Sequence, residues 1–451
     1  MKKRLSYLLA LCISFSTLVL PACTDSGLGK RGENVLRVAS WDEYICEGGE
    51  DSYVENSRPL YEEFEDWYFE QTGQEITVEY VPLQDNETMY NKIKMGDDYD
   101  LLCPSEYMIM KLAKEGKLQK FPQEFFDTSV KTNYYAKNVS SYIKGVFDGL
   151  HIDEQSTLTD YAAGYMWGTT GFVFNRNEIS PDIMTDWDAF TSSACERKIT
   201  AKDNVRDSYF VGLGLYYQDE LNALRDDLDR GNITLHDYQT TLSRMMNDTS
   251  ETTMNAVKKK LIALRQNVYG LETDEGKLDV AYGRLDASYQ WSGDAVYILD
   301  VADEREDESL DLAYTIPKSA SNLWFDGWVM MDGIDEKTKN AAMAFVNFLS
   351  IPENVVRNMY YIGYTSCIGG DEVFDYVTET YGAEDSDKDT AEYDLSYFFG
   401  DGYTLTTPQE QTYKQLFAQY PPATDIHRLV VMTPFDKKTN ERANRMWTNI
   451  K

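Results

Sequence analysis

Between residues 35 and 121, segments of strand period alternate with segments of helix period, and few folds satisfy that order. Val35-Leu36-Arg37-Val38-Ala39 reads as a strand. Leu60, Phe64, Trp67 and Tyr68 then share one face of a helix that Gly73 stops. Ile76, Val78 and Tyr80 alternate as a second strand. Asp85 or Asn86 caps the next helix, which carries Met89, Tyr90 and Ile93 and ends at Gly96. Residues 99–103 form a short buried strand, and 106–115 a helix closed by Gly116. Strands separated by single helices close right-handed crossovers and build a parallel sheet, so the fold class is α/β.

In such open sheets, ligands bind beyond the carboxyl ends of the strands. Two polar–aromatic loops fall there. Ser40-Trp41-Asp42-Glu43-Tyr44 follows the first strand, and Pro104-Ser105-Glu106-Tyr107 follows the third. Carboxylates held between aromatic faces suit an organic cation, because the acids pair with its charge and the rings cover its methylenes. Alone, the first run also fits an acidic surface loop. Its place on the same rim as the second makes it a candidate site.

Further on, 165–175 reads as extended, and 178–320 as mostly helical between short strands. Helices are expected over 209–217, 253–267, 277–284 and 287–299. Residues 324–331 are again extended, and 341–349 form an amphipathic helix. A chain that leaves one α/β unit, builds another and returns makes two lobes with a cleft between. Residues 371–422 read as acidic and irregular. Asp385, Asp387 and Asp389 alternate like the start of a calcium loop, but Thr390 and Ser396 stand where that loop needs Gly and Glu. A solvated loop is the expectation there, and no metal site.

Lys2, Lys3 and Arg4 precede an apolar run over 5–20 that breaks at Leu20-Pro21-Ala22-Cys23. This is a secretory signal, too short to span a bilayer, and its cysteine gives it the look of a bacterial lipoprotein signal. Residues 1–22 are therefore expected to be removed, Cys23 to carry lipid, and 23–33 to form a polar tether. The protein would sit outside the cytoplasm, in the periplasm or on the outer face of the cell membrane, touching the membrane only through its lipid. With 76 acids against 43 Lys and Arg, the net charge of −33 argues against nucleic acid or an anionic surface as partner and favours small cations. Cys46, Cys103, Cys195 and Cys367 form no C-x-x-C pair. Export permits a disulfide, and Cys46 with Cys367, each near candidate ligand residues, is the pair to consider. His151, His236 and His427 stand far apart, and no H-E-x-x-H, G-x-S-x-G or P-loop occurs. A carboxylate-pair hydrolase can be drawn from any chain this acidic, so no catalytic residue is assigned.

Seven motifs in order resemble the spermidine/putrescine-binding proteins of bacterial polyamine uptake. They are Trp41-Asp42-Glu43-Tyr44, the stretch from Asp85 through Lys92 and Tyr99 to Tyr107, and Trp167-Gly168-Thr169-Thr170. Val205-Arg206-Asp207, Gln290-Trp291-Ser292-Gly293, Trp324-Phe325-Asp326 and Ile362-Gly363-Tyr364-Thr365 complete the set. The resemblance implies a two-lobed periplasmic-binding-protein-like fold of type II, each lobe a mostly parallel sheet flanked by helices. Lobe 1 would comprise 34–168 and 324–370, lobe 2 169–323, with 371–451 an acidic insertion and C-terminal helix packing back on the lobes.

It further implies a monomeric, non-catalytic protein without a cofactor, delivering a polyamine from the interlobe cleft to ABC permease subunits backed by a cytoplasmic ATPase. Trp41, Tyr44, Tyr107, Trp291, Trp324 and Tyr364 would line the methylene chain. Glu43, Asp207 and Asp326 would take the ammonium groups, and Ser105 would add a hydroxyl acceptor. Asn204 stands in the binding set where the family has an acid, and the family's C-terminal Gln has no match around 432–435. Segments 218–252 and 371–428 are extra. A basic amino acid is the alternative solute. Arg206 is the one candidate for its carboxylate, and the family pattern puts that residue beside the ligand acid rather than on the ligand.

Overall fold

The computed structural model describes residues 32, 34–273, 276–305, 307 and 309–451. The expected signal, Cys23 and all of the tether but Gly32 lie outside these residues.

The first unit follows the alternation in the sequence. Strand β1 (Val35–Trp41) lies between parallel β2 (Thr77–Leu83) and β3 (Leu101–Leu102). Helix α1 (Leu60–Thr72) links β1 to β2, α2 (Asn86–Met95) links β2 to β3, and α3 (Glu106–Lys114) follows β3. Local chemistry sets their ends. Gly73 takes the left-handed conformation with φ 69° and returns its N–H to the Phe69 carbonyl, and Gly96 closes α2 in the same way. The Asp85 carboxylate accepts the Thr88 N–H at 2.6 Å, capping α2. A short β4 (Leu118–Gln119) pairs antiparallel with Met330 and Met331.

Strand β5 (Ala162–Asn175) is buried over all 14 residues, which is why it reads as one apolar run without alternation. Four shorter strands follow: β6 (Ile199–Lys202), β7 (Gly270–Glu272), β8 (Ala287–Trp291) and β9 (Leu312–Thr315). Then come β10 (Ser321–Met331), buried throughout, and β11 (Thr365–Ser366). The main sheet runs β2-β1-β3-β10-β5-β8-β6-β7. β5 and β10 pair antiparallel at its centre, and a bulge interrupts their register at Asp326/Gly327.

Three cores pack on this sheet. Leu36, Phe64, Leu101, Trp167, Phe325 and Trp328 belong to the first. Phe172, Trp187, Phe210 and Tyr289 belong to the second, and Val173, Ile298 and Tyr314 to the third. Phe172 and Val173 are neighbours on β5, so the last two cores lie on opposite faces of the sheet. β5 thus starts in one core and ends between the other two.

Several sequence expectations change. Residues 287–299 are not one helix. Residues 287–290 form most of β8, fully buried between β5 and β6, and the helix Ser292–Glu304 starts only after Trp291. A short apolar run carries no period that separates strand from helix, and here the ladder on both sides decides. The 209–217 helix is the middle of a 25-residue helix, Val205–Asp229. The extra segment 218–252 ends that helix and adds a second, Leu235–Met246, capped by Thr234 and Asp237. The region 371–422 is ordered as well. It holds the helix Asp371–Tyr381 and a hairpin of Thr390–Asp394 with Thr404–Pro408, whose Tyr393 and Leu405 turn inward and leave the acids outside. Cys46, Cys103, Cys195 and Cys367 are buried free thiols, so the Cys46–Cys367 bridge is absent. Cys46, Cys103 and Cys367 lie in the first core, where a thiol behaves as a small apolar group.

Candidate functional site

Two parallel pairs of strands that run in opposite directions, β1 with β3 and β6 with β8, point their carboxyl ends at one region. Trp41 ends β1, Ser105 follows β3, Lys202 ends β6 and Trp291 ends β8. Across them runs the middle of β10, where the bulge turns Asp326 into the same space.

Asp326 is 4% exposed. Its Oδ2 accepts the Trp41 indole N–H at 2.9 Å and the Tyr44 hydroxyl at 2.7 Å, and the Ser105 hydroxyl also hydrogen-bonds to the carboxylate. These donors are neutral, and among the described residues Asp326 has no ion-pair partner. Burial accordingly raises its pKa although all three hydrogen bonds pull the other way. Rings close around it. Tyr44 meets Tyr364 edge-on at 5.9 Å, and Trp324 lies 5.4 Å from the same Tyr364 ring. The Trp324 N–H is given to the Thr169 carbonyl at 3.0 Å, so this residue offers the site only its ring. Glu106, the first residue of α3, is 2% exposed, and burial pushes its pKa up to about 8, with the Asp326 charge adding to the shift.

The opposite wall is built differently. Asp207 hydrogen-bonds to the Trp291 indole, and burial lifts its pKa to about 6 against the pull of Lys202, that bond and Arg206. The Lys202 ammonium lies 4.1 Å from the centre of the Trp291 ring, 3.3 Å from Asp294 Oδ2 and 2.9 Å from the Thr273 carbonyl it donates to. Lys277 reaches Asp294 Oδ1 at 2.8 Å, and the Tyr364 hydroxyl donates to the same oxygen at 3.0 Å. Burial opposes the charge on Asp294, but the two ammonium groups outweigh it and hold the pKa below the usual range. Tyr364 joins the walls, since its ring faces Tyr44 and Trp324 while its hydroxyl binds Asp294.

Arg206 makes a second bridge. Its guanidinium stacks 4.5 Å from the Tyr107 ring and 3.7 Å from the Phe435 ring and donates to the Thr433 carbonyl at 2.6 Å. The Tyr107 hydroxyl donates to Glu87 Oε1 at 3.2 Å, and burial raises the Glu87 pKa.

The structure therefore gathers Trp41, Tyr44, Ser105, Trp324, Asp326 and Tyr364 into one box, sets Asp207 and Trp291 on the facing wall and places Tyr107 under Arg206. Three expected roles change. The Asn204 carboxamide oxygen caps the helix Val205–Asp229, accepting the N–H groups of Arg206 at 2.7 Å and Asp207 at 3.2 Å. The Ser105 hydroxyl is already engaged within the protein, because it accepts from Asn86 Nδ2 at 2.9 Å and bonds to Asp326. Glu43 is exposed in the left-handed conformation with φ 51°, on the rim, where its charge is felt by Tyr297 and Tyr361. Glu106, Glu87, Lys202 and Asp294 were not selected from the sequence. Glu106 and Asp294 each stood inside or beside a motif already singled out, and Lys202 stood two residues before the Asn204 cap.

A family model described as bacterial extracellular solute-binding protein matches residues 60–370. The spermidine/putrescine-binding periplasmic proteins of Salmonella typhimurium and Escherichia coli are each 26% identical over 333 residues, covering 73% of this chain and 77% of theirs. Among solved structures, the spermidine/putrescine ABC transporter substrate-binding protein of Streptococcus pneumoniae superposes with a TM-score of 0.58 at 21% identity, covering 93% of this chain and 98% of that one. The last likeness shows the fold, that of a type II periplasmic binding protein. The chain belongs to the bacterial extracellular solute-binding proteins, and it binds a solute rather than catalysing a reaction.

Proposed function

We propose that this solute-binding protein captures a polyamine of the spermidine or putrescine kind and hands it to an ABC importer. One observation carries the reading. Among the described residues, Asp326 is a buried carboxylate held only by neutral donors, Trp41, Tyr44 and Ser105, inside a box of aromatic rings. A primary ammonium supplies the missing charge in a charge-assisted hydrogen bond, and the rings cover the methylenes behind it. The names of the relatives support the same solute class.

The lobes are 34–168 with 324–370 and 169–323, and they close about β5 and β10, the two long strands that run through the sheet at its centre. Hinge closure of this kind brings the Asp326 box and the Asp207–Trp291 wall onto one ligand. The protein works as a monomer outside the cytoplasm, tethered by lipid on Cys23. Among the described residues, no helix is long and apolar enough to cross a membrane. Calorimetry on a chain starting after residue 22, titrated with putrescine, spermidine, spermine, lysine and arginine, tests the solute class. Heat with at least one polyamine is expected, and silence with all three would refute the proposal.

A further inference from the structure

The two walls of the cleft are unequal in charge, and of the two lysines on the Asp207 wall it is Lys202 that lies on Trp291. Lys202 ends β6 with its side chain 1% exposed. Its ammonium occupies the face of Trp291 at 4.1 Å, which is where a bound organic cation gains most from an indole. The same ammonium is the strongest charge acting to keep Asp207 ionised, and it pairs with Asp294 at 3.3 Å. A donor bond to the Thr273 carbonyl fixes it from behind. The cation–π face and the carboxylate on this wall are therefore already served by a group of the protein itself. The Asp326 box has no such partner among the described residues.

We propose that Lys202 is an internal counter-cation that fills the inner ammonium subsite on Trp291 beside Asp207, so that the cleft selects short amines whose charged end sits on Asp326. This rests on the amine-binding reading above and refines it. A short diamine places one ammonium on Asp326 and leaves its second in the cleft, short of Lys202. A longer triamine would bring a further ammonium toward Asp207 and meet Lys202 there. Like charges brought together inside an interface are strongly disfavoured, so Lys202 rejects the longer ligand without touching the shorter one.

The test compares putrescine, spermidine and lysine by calorimetry on the wild-type chain and on Lys202→Met and Lys202→Arg. Methionine keeps the unbranched apolar stem and removes the charge, and Asp294 retains Lys277 at 2.8 Å and the Tyr364 hydroxyl. Wild type is expected to favour putrescine. Lys202→Met should shift the spermidine-to-putrescine affinity ratio toward spermidine by about tenfold or more, as removal of a close like charge requires. Lys202→Arg, which keeps the charge, should retain the wild-type order and shows whether the position tolerates change. Should the methionine variant fail to fold by thermal melting, the wild-type series decides alone. Spermidine bound more tightly than putrescine overturns the proposal, as does an unchanged ratio in a folded Lys202→Met. Lysine bound more tightly than putrescine also overturns it, because Lys202 would then be facing a ligand carboxylate. Absence of binding by every amine refutes instead the solute class proposed above.

Discussion

Replacing Asp326 by Asn separates ligand binding from folding, because the two should move in opposite directions. Asn keeps an acceptor oxygen for the Trp41 and Tyr44 donors, now at 2.9 and 2.7 Å, and removes the charge. Losing one partner of a buried, hydrogen-bonded charge pair costs about 2–5 kcal/mol. At about 1.4 kcal/mol per decade, the Kd for putrescine should rise roughly 30- to 4000-fold. The ligand-free protein should respond otherwise. Burial raises the folded-state pKa of Asp326 above its ordinary 3.8, so ionisation costs stability as pH rises from the unfolded value through the folded one. The amide removes that cost. At pH 7 the ligand-free variant should melt at or above the wild-type temperature, and the advantage should shrink as pH falls toward about 4 and vanish well below 3.8, where both states of the wild type are protonated. Calorimetry and thermal melts at the two pH values read both quantities. Binding as tight as wild type, or a ligand-free Tm several degrees below it at pH 7, would refute the picture of an uncompensated carboxylate awaiting a cation.

Two further outcomes follow from neighbouring groups. Glu106 has its pKa pushed from 4.5 to about 8, so its charge destabilises the fold increasingly as pH rises across that window. Glu106→Gln should be more stable than wild type in urea at pH 8, by up to about 5 kcal/mol at 1.36 kcal/mol per unit, and equal to it near pH 4; equal stability at both values would show that Glu106 is not buried as drawn. A Cβ on Gly293 would lie 1.8 Å from Cδ1 of Tyr364, so Gly293→Ala must push that ring off Trp324 and off Asp294. Overpacking of this kind costs about 1–3 kcal/mol, and the variant should lose both melting temperature and amine affinity; retained affinity would mean that Tyr364 does not line the ligand.

The features legible in the sequence were those set by near neighbours. The Gly73 and Gly96 stops and the alternation of β2 depend on residues within a few positions and are legible in the sequence, as is the cap of α2, which the sequence leaves between Asp85 and Asn86 and the structure assigns to Asp85. β8 was misread because its strand character comes from β5 and β6, which lie far away in the chain. The site shows the same division. Aromatic and acidic residue types were visible in their loops, but the Trp41–Asp326 hydrogen bond joins residues 285 positions apart. Asn204 was legible as an oddity among the binding residues, yet its capping role shows only once the helix start is located at Val205. Lys202 gave no signal at all. A lysine closing a strand usually carries its charge out to water, and only the packing of β6 beside β8 lays it on Trp291.

That packing also bears on how the cleft works as a trap. The wall bearing Asp207, Trp291 and Asp294 balances its acids with Lys202 and Lys277, so it loses little by being buried and can stand preformed before a ligand arrives. The wall bearing Asp326 and Glu106 has neutral donors around its acids, and both have raised pKa values. Shutting it away from water without a cation leaves a charge that burial penalises, so an empty cleft is favoured open and hydrated. In the proposed capture of an amine, a ligand ammonium on Asp326 would remove that penalty only while the lobes are closed, and this difference between the two states would let binding drive closure. Asymmetry therefore serves better than two hungry walls would. One wall supplies a fixed surface and the other a carboxylate without a cation, and on the proposed reading the solute that closes the lobes is the one that sets an ammonium on Asp326 and stops short of Lys202.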